Sequence, residues 1–287
     1  MILLNFFTEG RKLRVLCIND VSCIGKCSLT VALPVISACG VTCDVLPTAL
    51  LSTHTGGFKG YTFHDLTGEI PAILKHWKSL DVKFDFIYSG YLGSIEQIDT
   101  VEKIKNSFLA EGGKFIVDPV MGDGGKLYDR FDDAFVDKMR ELCTQAHYIL
   151  PNLTEACFLA RHPYPHQESA DGYALVKKLL DVNPCPIVTG VHEEKEISVF
   201  YAENGIINRI TSSLCEGFFV GAGDLFASAF VGCLARGKSA RDAVSLATSL
   251  TTAAIKRSAK EVPDKRFGLN FEKELFPFLQ ELNDAED

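Results

Sequence analysis

F-D-F-I-Y-S-G-Y-L-G-S-I-E-Q-I-D-T-V-E-K-I-K-N-S-F-L-A-E-G-G-K-F-I-V-D-P, residues 84–119, is the stretch from which the fold can be read. F-D-F-I-Y-S (84–89) predicts a strand, Ser94 to about Ala110 a helix, and K-F-I-V (114–117) a strand running into Asp118-Pro119. Strand, helix and strand in that order make a parallel βαβ unit. The alternation continues toward the N-terminus. R-V-L-C-I (14–18) reads as a strand, the stretch from about Lys26 to Ala38 as a helix ending before Gly40, and V-T-C-D-V-L (41–46) as a strand.

Toward the C-terminus, helices are expected around 132–143 and 153–161, with Y-I-L (148–150) between them, and at about 168–182. P-I-V-T (186–189) follows as a strand. I-S-V-F-Y-A and G-I-I-N-R-I form a hairpin around Glu203-Asn204-Gly205. Helices at about 223–236 and 239–258 close the chain. The strands are short and nearly all apolar, as strands covered on both faces must be. No internal repeat, low-complexity linker or charge block interrupts the pattern. The expectation is an α/β fold, one doubly wound sheet spanning 1–287, with a lead at 1–12 and a tail at 270–287.

The 287 residues are 47% hydrophobic, ample for a large core. A net charge of −8 gives no general attraction for nucleic acid or an anionic membrane and points to a small-molecule substrate. A polyanionic substrate would need positive potential supplied locally. The apolar start, Met1 to Gly10, is broken by Glu9 and is too short for a signal segment or a span, so it reads as a flexible or tag-derived lead. Ten cysteines lie mostly inside apolar runs and none forms C-x-x-C; they read as small core residues of a reducing, cytoplasmic compartment.

In doubly wound sheets ligands sit beyond the carboxyl ends of the strands. The polar and glycine-rich clusters fall there: Asn19-Asp20, Thr48 to Thr55, Ser89 to Ser94, Asp118 to Gly125, Pro151 to Glu155 and Thr189-Gly190. V-G-A-G-D-L-F-A-S-A-F-V-G (220–232) adds small residues at the mouth of an apolar helix. Free N–H groups and the helix dipole make such a mouth an anion site. Asp224 there either caps the helix or takes a proton from a nucleophile placed beside a phosphate.

G-A-G-D before an apolar helix, with N-x-x-E upstream, resembles the ribokinase superfamily. L-P-T-A-L-L-S-T-H-T-G-G-F (46–58), S-G-Y-L-G-S (89–94) and D-P-V-M-G-D-G-G (118–125) resemble pyridoxal kinases within it. The resemblance runs in order from about residue 14 to 260. It implies ATP-dependent phosphorylation of the 5′-hydroxyl of pyridoxal, pyridoxine or pyridoxamine, no separate β lid domain, and a homodimer. ATP and Mg2+ are implied, and a monovalent cation such as K+ is left open.

Carried over on matching positions, Gly221, Ala222 and Gly223 form the anion hole and Asp224 is the base. Asp118, Asn152, Glu155 and Thr189 serve the nucleotide, with Asp118 and Glu155 on the metal side. Thr48, His54 and Tyr91 face the vitamin. Asp20 stands where many pyridoxal kinases place a serine against the pyridine ring, with Ser22 the alternative under a shifted register. The loop Gly122 to Tyr128 is the expected lid, mobile through its glycines. The runner-up enzyme is hydroxymethylpyrimidine kinase of thiamine synthesis. A non-catalytic B6-vitamer binding protein is the third reading, against which the retained Asp224 and Glu155 argue.

Overall fold

The computed structural model describes residues 13–165, 170–193, 195–215 and 217–284, so the lead expected at 1–12 lies outside the described residues. The first half runs β1 (Arg14–Ser22), α1 (Leu29–Ala38), β2 (Thr42–Leu51), β3 (Phe63–Asp65), α2 (Ile70–Ser79), β4 (Phe84–Ser89), α3 (Ile95–Phe108) and β5 (Leu109–Val117). It continues through β6 (Gly122–Asp123), β7 (Lys126–Leu127), α4 (Asp133–Thr144), β8 (Tyr148–Ile149), α5 (Leu153–Leu159) and α6 (Gly172–Leu179). The last part holds β9 (Ile187–Glu193), β10 (Glu196–Glu203), β11 (Ile206–Ser213), α7 (Ala222–Ala235), α8 (Ala240–Glu261) and α9 (Leu275–Asp284).

The main sheet has the order β3-β2-β1-β4-β5-β8. All its pairings are parallel except β2 with β3. β9, β10 and β11 form an antiparallel meander. Parallel bridges Ile149↔Pro186 and Asn152↔Thr189 join it to the β8 edge. The order of strands reverses between β1 and β4, so the crevice for a ligand opens beyond the ends of those two strands.

The alternation of side chains explains why R-V-L-C-I is apolar throughout. Leu16 and Ile18 enter the core that carries α3 to α6. Val15 and Cys17 enter the opposite core, with α1, α7, α8 and α9. The expected tail at 270–287 is corrected here. Residues 275–284 form α9, and Phe278 and Leu282 are buried against the second core.

The segment expected as a lid, Gly122 to Tyr128, has a regular form. Residues 122–127 form a tight hairpin, β6 with β7. Gly124 and Gly125, at φ 58° and 79°, supply the two left-handed positions that a two-residue type I′ turn demands. The hairpin is fastened to the start of α5. Asn152 Nδ2 donates to the Gly122 carbonyl at 2.9 Å, and Gly125 N–H to Thr154 Oγ1 at 3.0 Å.

Candidate active site

A cleft of about 670 Å3 lies over the strand ends and runs from Asp20 and His54 past Asp118, Glu155 and Asp224 to Thr248 and Ile255. Its centre is Asp224, in the first turn of α7. Gly221, the N-cap of that helix, has φ 80° and makes no side-chain cap bond. A Cβ there would stand 2.1 Å from the Lys26 carbonyl oxygen, so the backbone path needs glycine. Nothing lies within 4 Å of a Cβ built on Gly223, and that side of the helix mouth is open. The first N–H groups of α7 therefore face the cleft without a capping side chain.

Asn19 Nδ2 donates to the Asp224 carboxylate, 3.4 Å from Oδ1. Burial pushes it up to about 6; the Ser28 main chain and the Asn19 amide oppose the rise, and Asp20 adds to it. Ser228 Oγ ties the Asp224 carbonyl at 2.5 Å. Asn19 is held in turn: its Oδ1 accepts the N–H groups of Tyr91 at 2.8 Å and of Asp20 at 3.0 Å. A Cβ on Gly90 would come within 2.2 Å of Asn19 Nδ2, which explains the glycine in S-G-Y.

Asn152 and Glu155 form a reciprocal capping box on α5. Glu155 also accepts the Met121 N–H, at 3.1 Å. Both its oxygens thus hold main chain, and burial pushes the carboxyl up to about 8. Asp118 is buried at the end of β5; burial, then Glu155 and Asp224, drive it well above the usual carboxylate range. Thr189 lines the cleft, with its N–H on the Pro151 carbonyl.

At the vitamin end, Asp20 lines the cleft, but both its oxygens are engaged. Ser28 Oγ donates at 2.5 Å and Ser22 Oγ at 3.1 Å. Burial raises its carboxyl and the two hydroxyls oppose the rise. Ser22 is thus a partner of Asp20. Tyr91 lines the cleft beside Phe131, with ring centroids 5.9 Å apart. His54 lines it too, but its nitrogens are used. Nε2–H donates to the Arg266 carbonyl at 2.6 Å, and Nδ1 accepts the Gly56 N–H at 3.1 Å. Thr48 is a correction. It is fully buried, does not line the cleft, and donates Oγ1 to the Tyr91 carbonyl at 3.0 Å.

Sequence reasoning missed Asn19 as a partner of the base and Ser28 as a partner of Asp20. It noted Asn19 beside the first strand but gave a role only to Asp20. The cleft is also lined by Asp123, Asp129 and Arg130, which carried no assignment. With so many carboxylates facing it, the cleft suits a polyanion only together with a cation. Among the described residues no three His, Cys, Asp or Glu side chains form a metal cage. Asp118, buried beside Glu155 at the end of β5, is the carboxylate that would share a hydrated Mg2+, an ion that keeps several waters and takes phosphate oxygens.

The phosphomethylpyrimidine kinase family profile matches residues 32–267. A provisionally assigned phosphomethylpyrimidine kinase from Bacteroides thetaiotaomicron, crystallised with pyridoxal, is 36% identical with a TM-score of 0.87, covering 93% of this chain and 96% of that one. Pyridoxal kinase from Lactobacillus plantarum is 31% identical with a TM-score of 0.86, covering 95% of this chain and 98% of that one. Pyridoxal kinase PdxY of Actinobacillus pleuropneumoniae is 31% identical over 216 residues, 70% of this chain and 73% of that protein. Two further curated relatives are matched over only 28% and 38% of their own length. The ribokinase-like architecture expected from the sequence, a mostly parallel sheet flanked by helices, is the one shared with these structures.

Proposed function

This chain belongs to the phosphomethylpyrimidine kinase family, which its similarity to pyridoxal kinases narrows further, and we propose that it phosphorylates the 5′-hydroxyl of pyridoxal and related B6 vitamers from ATP. One observation carries the reading: a carboxylate, Asp224, lies in the first turn of a helix whose leading N–H groups have no capping side chain. Those N–H groups, over Gly221 to Gly223, receive the transferred phosphoryl group as its charge develops. Asp224 takes the proton of the attacking hydroxyl as the new P–O bond forms and the bond to ADP breaks.

Asp118 faces the phosphates and the cation, whose charge compensates its burial beside Glu155 and Asp224. Glu155 supports the same place by holding Met121 and the start of α5. Mg2+ bound there neutralises phosphate charge. Thr189 lines the nucleotide side, while Tyr91 and Asp20 line the vitamin side. In this reading the whole chain is one kinase domain, working as a homodimer in a reducing, cytoplasmic compartment.

The family profile favours a second reading, hydroxymethylpyrimidine as substrate. A coupled assay of ATP turnover across pyridoxal, pyridoxine, pyridoxamine and hydroxymethylpyrimidine decides. The highest kcat/KM with a B6 vitamer is expected. Preference for hydroxymethylpyrimidine would select the second reading, and no turnover with any of them would leave a binding protein.

A further inference from the structure

We propose that Arg130 sets specificity at the vitamin end of the cleft by donating to the ionised ring hydroxyl of a B6 vitamer; this rests on the kinase reading above. Asp20, Asp118, Asp123, Asp129, Glu155 and Asp224 line the cleft, and among the described residues Arg130 is the one Lys or Arg side chain that lines it with them. Arg130 follows the β6–β7 hairpin and is exposed. Its guanidinium lies 4.0 Å over the ring of Phe63 on β3. Phe63 is the register partner of Leu51 on β2, and Leu51 lines the cleft. The side chain thus reaches from the hairpin side to the β2–β3 edge, across the vitamin end. The next residue, Phe131, packs on Tyr91 there, and the Tyr91 hydroxyl, raised by burial, is lowered again by the Arg130 charge. Among the described residues no carboxylate forms a salt bridge with Arg130. Stacking on a ring face leaves the N–H edge of a guanidinium available to an anion.

The Ser22 and Thr48 hydroxyls and the His54 imidazole, read from sequence as vitamin contacts, are spent on the protein. Thr48 holds the Tyr91 carbonyl, Ser22 the Asp20 carboxylate, and His54 the main chain of Arg266 and Gly56. An anionic group on the substrate therefore finds its charged donor in Arg130. B6 vitamers carry such a group, because the hydroxyl on the pyridine ring is acidic and becomes an oxyanion. Hydroxymethylpyrimidine carries an amino group and no ring hydroxyl. A guanidinium has N–H donors and no acceptor, so it makes a charge-assisted bond to the oxyanion and has nothing to offer the amine. Without this cation, the surrounding carboxylates would repel the oxyanion. One side chain thus favours a B6 vitamer over the pyrimidine, by attraction to the first and an unpaired charge against the second.

Arg130→Met and Arg130→Lys test the proposal. Methionine keeps an apolar stem on Phe63 and loses the charge, while lysine keeps a charge and loses the fork. kcat/KM is measured for pyridoxal and for its analogue without the ring hydroxyl, 3-deoxypyridoxal, together with KM for ATP, Tm, and pyridoxal affinity in the absence of ATP. Arg130→Met should lose about 10- to 100-fold in kcat/KM for pyridoxal, with Arg130→Lys between it and wild type. For 3-deoxypyridoxal, and in KM for ATP, the change should be no more than about twofold. An equal loss with both compounds would make Arg130 only a wall of the pocket, and a rise confined to KM for ATP would assign it to the phosphates; either overturns the proposal. A wild type that turns over neither compound would overturn the kinase reading. Pyridoxal affinity then still decides for Arg130: a loss of about tenfold or more in Arg130→Met supports the ring contact, and an unchanged affinity overturns it.

Discussion

Asn19 Nδ2 lies 3.4 Å from Asp224 Oδ1, so the end of β1 meets the start of α7 across 205 positions of sequence. Asn19→Asp keeps the shape and the acceptor for the Tyr91 N–H but turns the donor into a second carboxylate. A like charge raises a neighbouring carboxyl. A base acts only when unprotonated, and Asp224 is already pushed up to about 6 by burial, so kcat/KM of wild type should fall below that pH. In Asn19→Asp this acid limb should move higher by on the order of one pH unit. A limb that stays in place would remove Asn19 from the surroundings of the base.

Glu155 gives a prediction on stability and one on metal. Burial raises its carboxyl from 4.5 to about 8. The folded state therefore holds this proton more tightly than the unfolded chain. Stability from this group is fully present below 4.5 and is lost as pH rises through about 8. Glu155→Gln should flatten the fall of Tm across that window, which thermal melts at several pH values will show. It should also raise the Mg2+ concentration for half-maximal rate. An unchanged midpoint would confine Glu155 to holding α5 and Met121.

Gly221→Ala should be damaging on two counts. The added Cβ meets the Lys26 carbonyl oxygen, and φ 80° is unfavourable for alanine. About 1–3 kcal/mol of stability should be lost, read by denaturant unfolding, together with most of kcat. A variant of wild-type stability and rate would mean that the helix mouth tolerates a shifted path.

Much of this was legible from periodicity. The βαβ unit at 84–117, the hairpin around Asn204 and the two closing helices are where the apolar pattern put them. β1 was read short because its last residues carry site side chains, yet Asn19, Val21 and Ser22 still pair with β2 across a register shift at Asp20. α2 was missed although Ile70, Ile73, Leu74 and Trp77 recur at helical spacing and meet the core; Pro71, which a first helical turn tolerates, reads in sequence as a breaker. α9 was read as a tail because its two core residues, Phe278 and Leu282, are followed by acidic residues. At the site, the glycines and Asp224 were legible from motif chemistry. Thr48 was misplaced because a strand-end threonine can point its hydroxyl at a ligand or at a neighbouring carbonyl, and only the tertiary structure decides.

A carboxylate in a serine's place at position 20 offers a charge-assisted bond to the 4′-amine of pyridoxamine, in which case Asp20→Ser would weaken pyridoxamine more than pyridoxal. The carboxylate instead holds the hydroxyls of Ser22 and Ser28. Asp20→Ser should thus lower kcat/KM for both vitamers by a similar factor. A selective loss for pyridoxamine would restore direct contact with the amine.

The most direct measurement is turnover of Asp224→Asn with ATP and pyridoxal, alongside nucleotide affinity. The substitution keeps the shape of the side chain and removes its capacity as a base. If Asp224 accepts the hydroxyl proton, kcat should drop about 10²- to 10⁴-fold while ATP affinity stays near that of wild type. Turnover within a few-fold of wild type would contradict the account and leave Asp224 as an ordinary residue of the helix start.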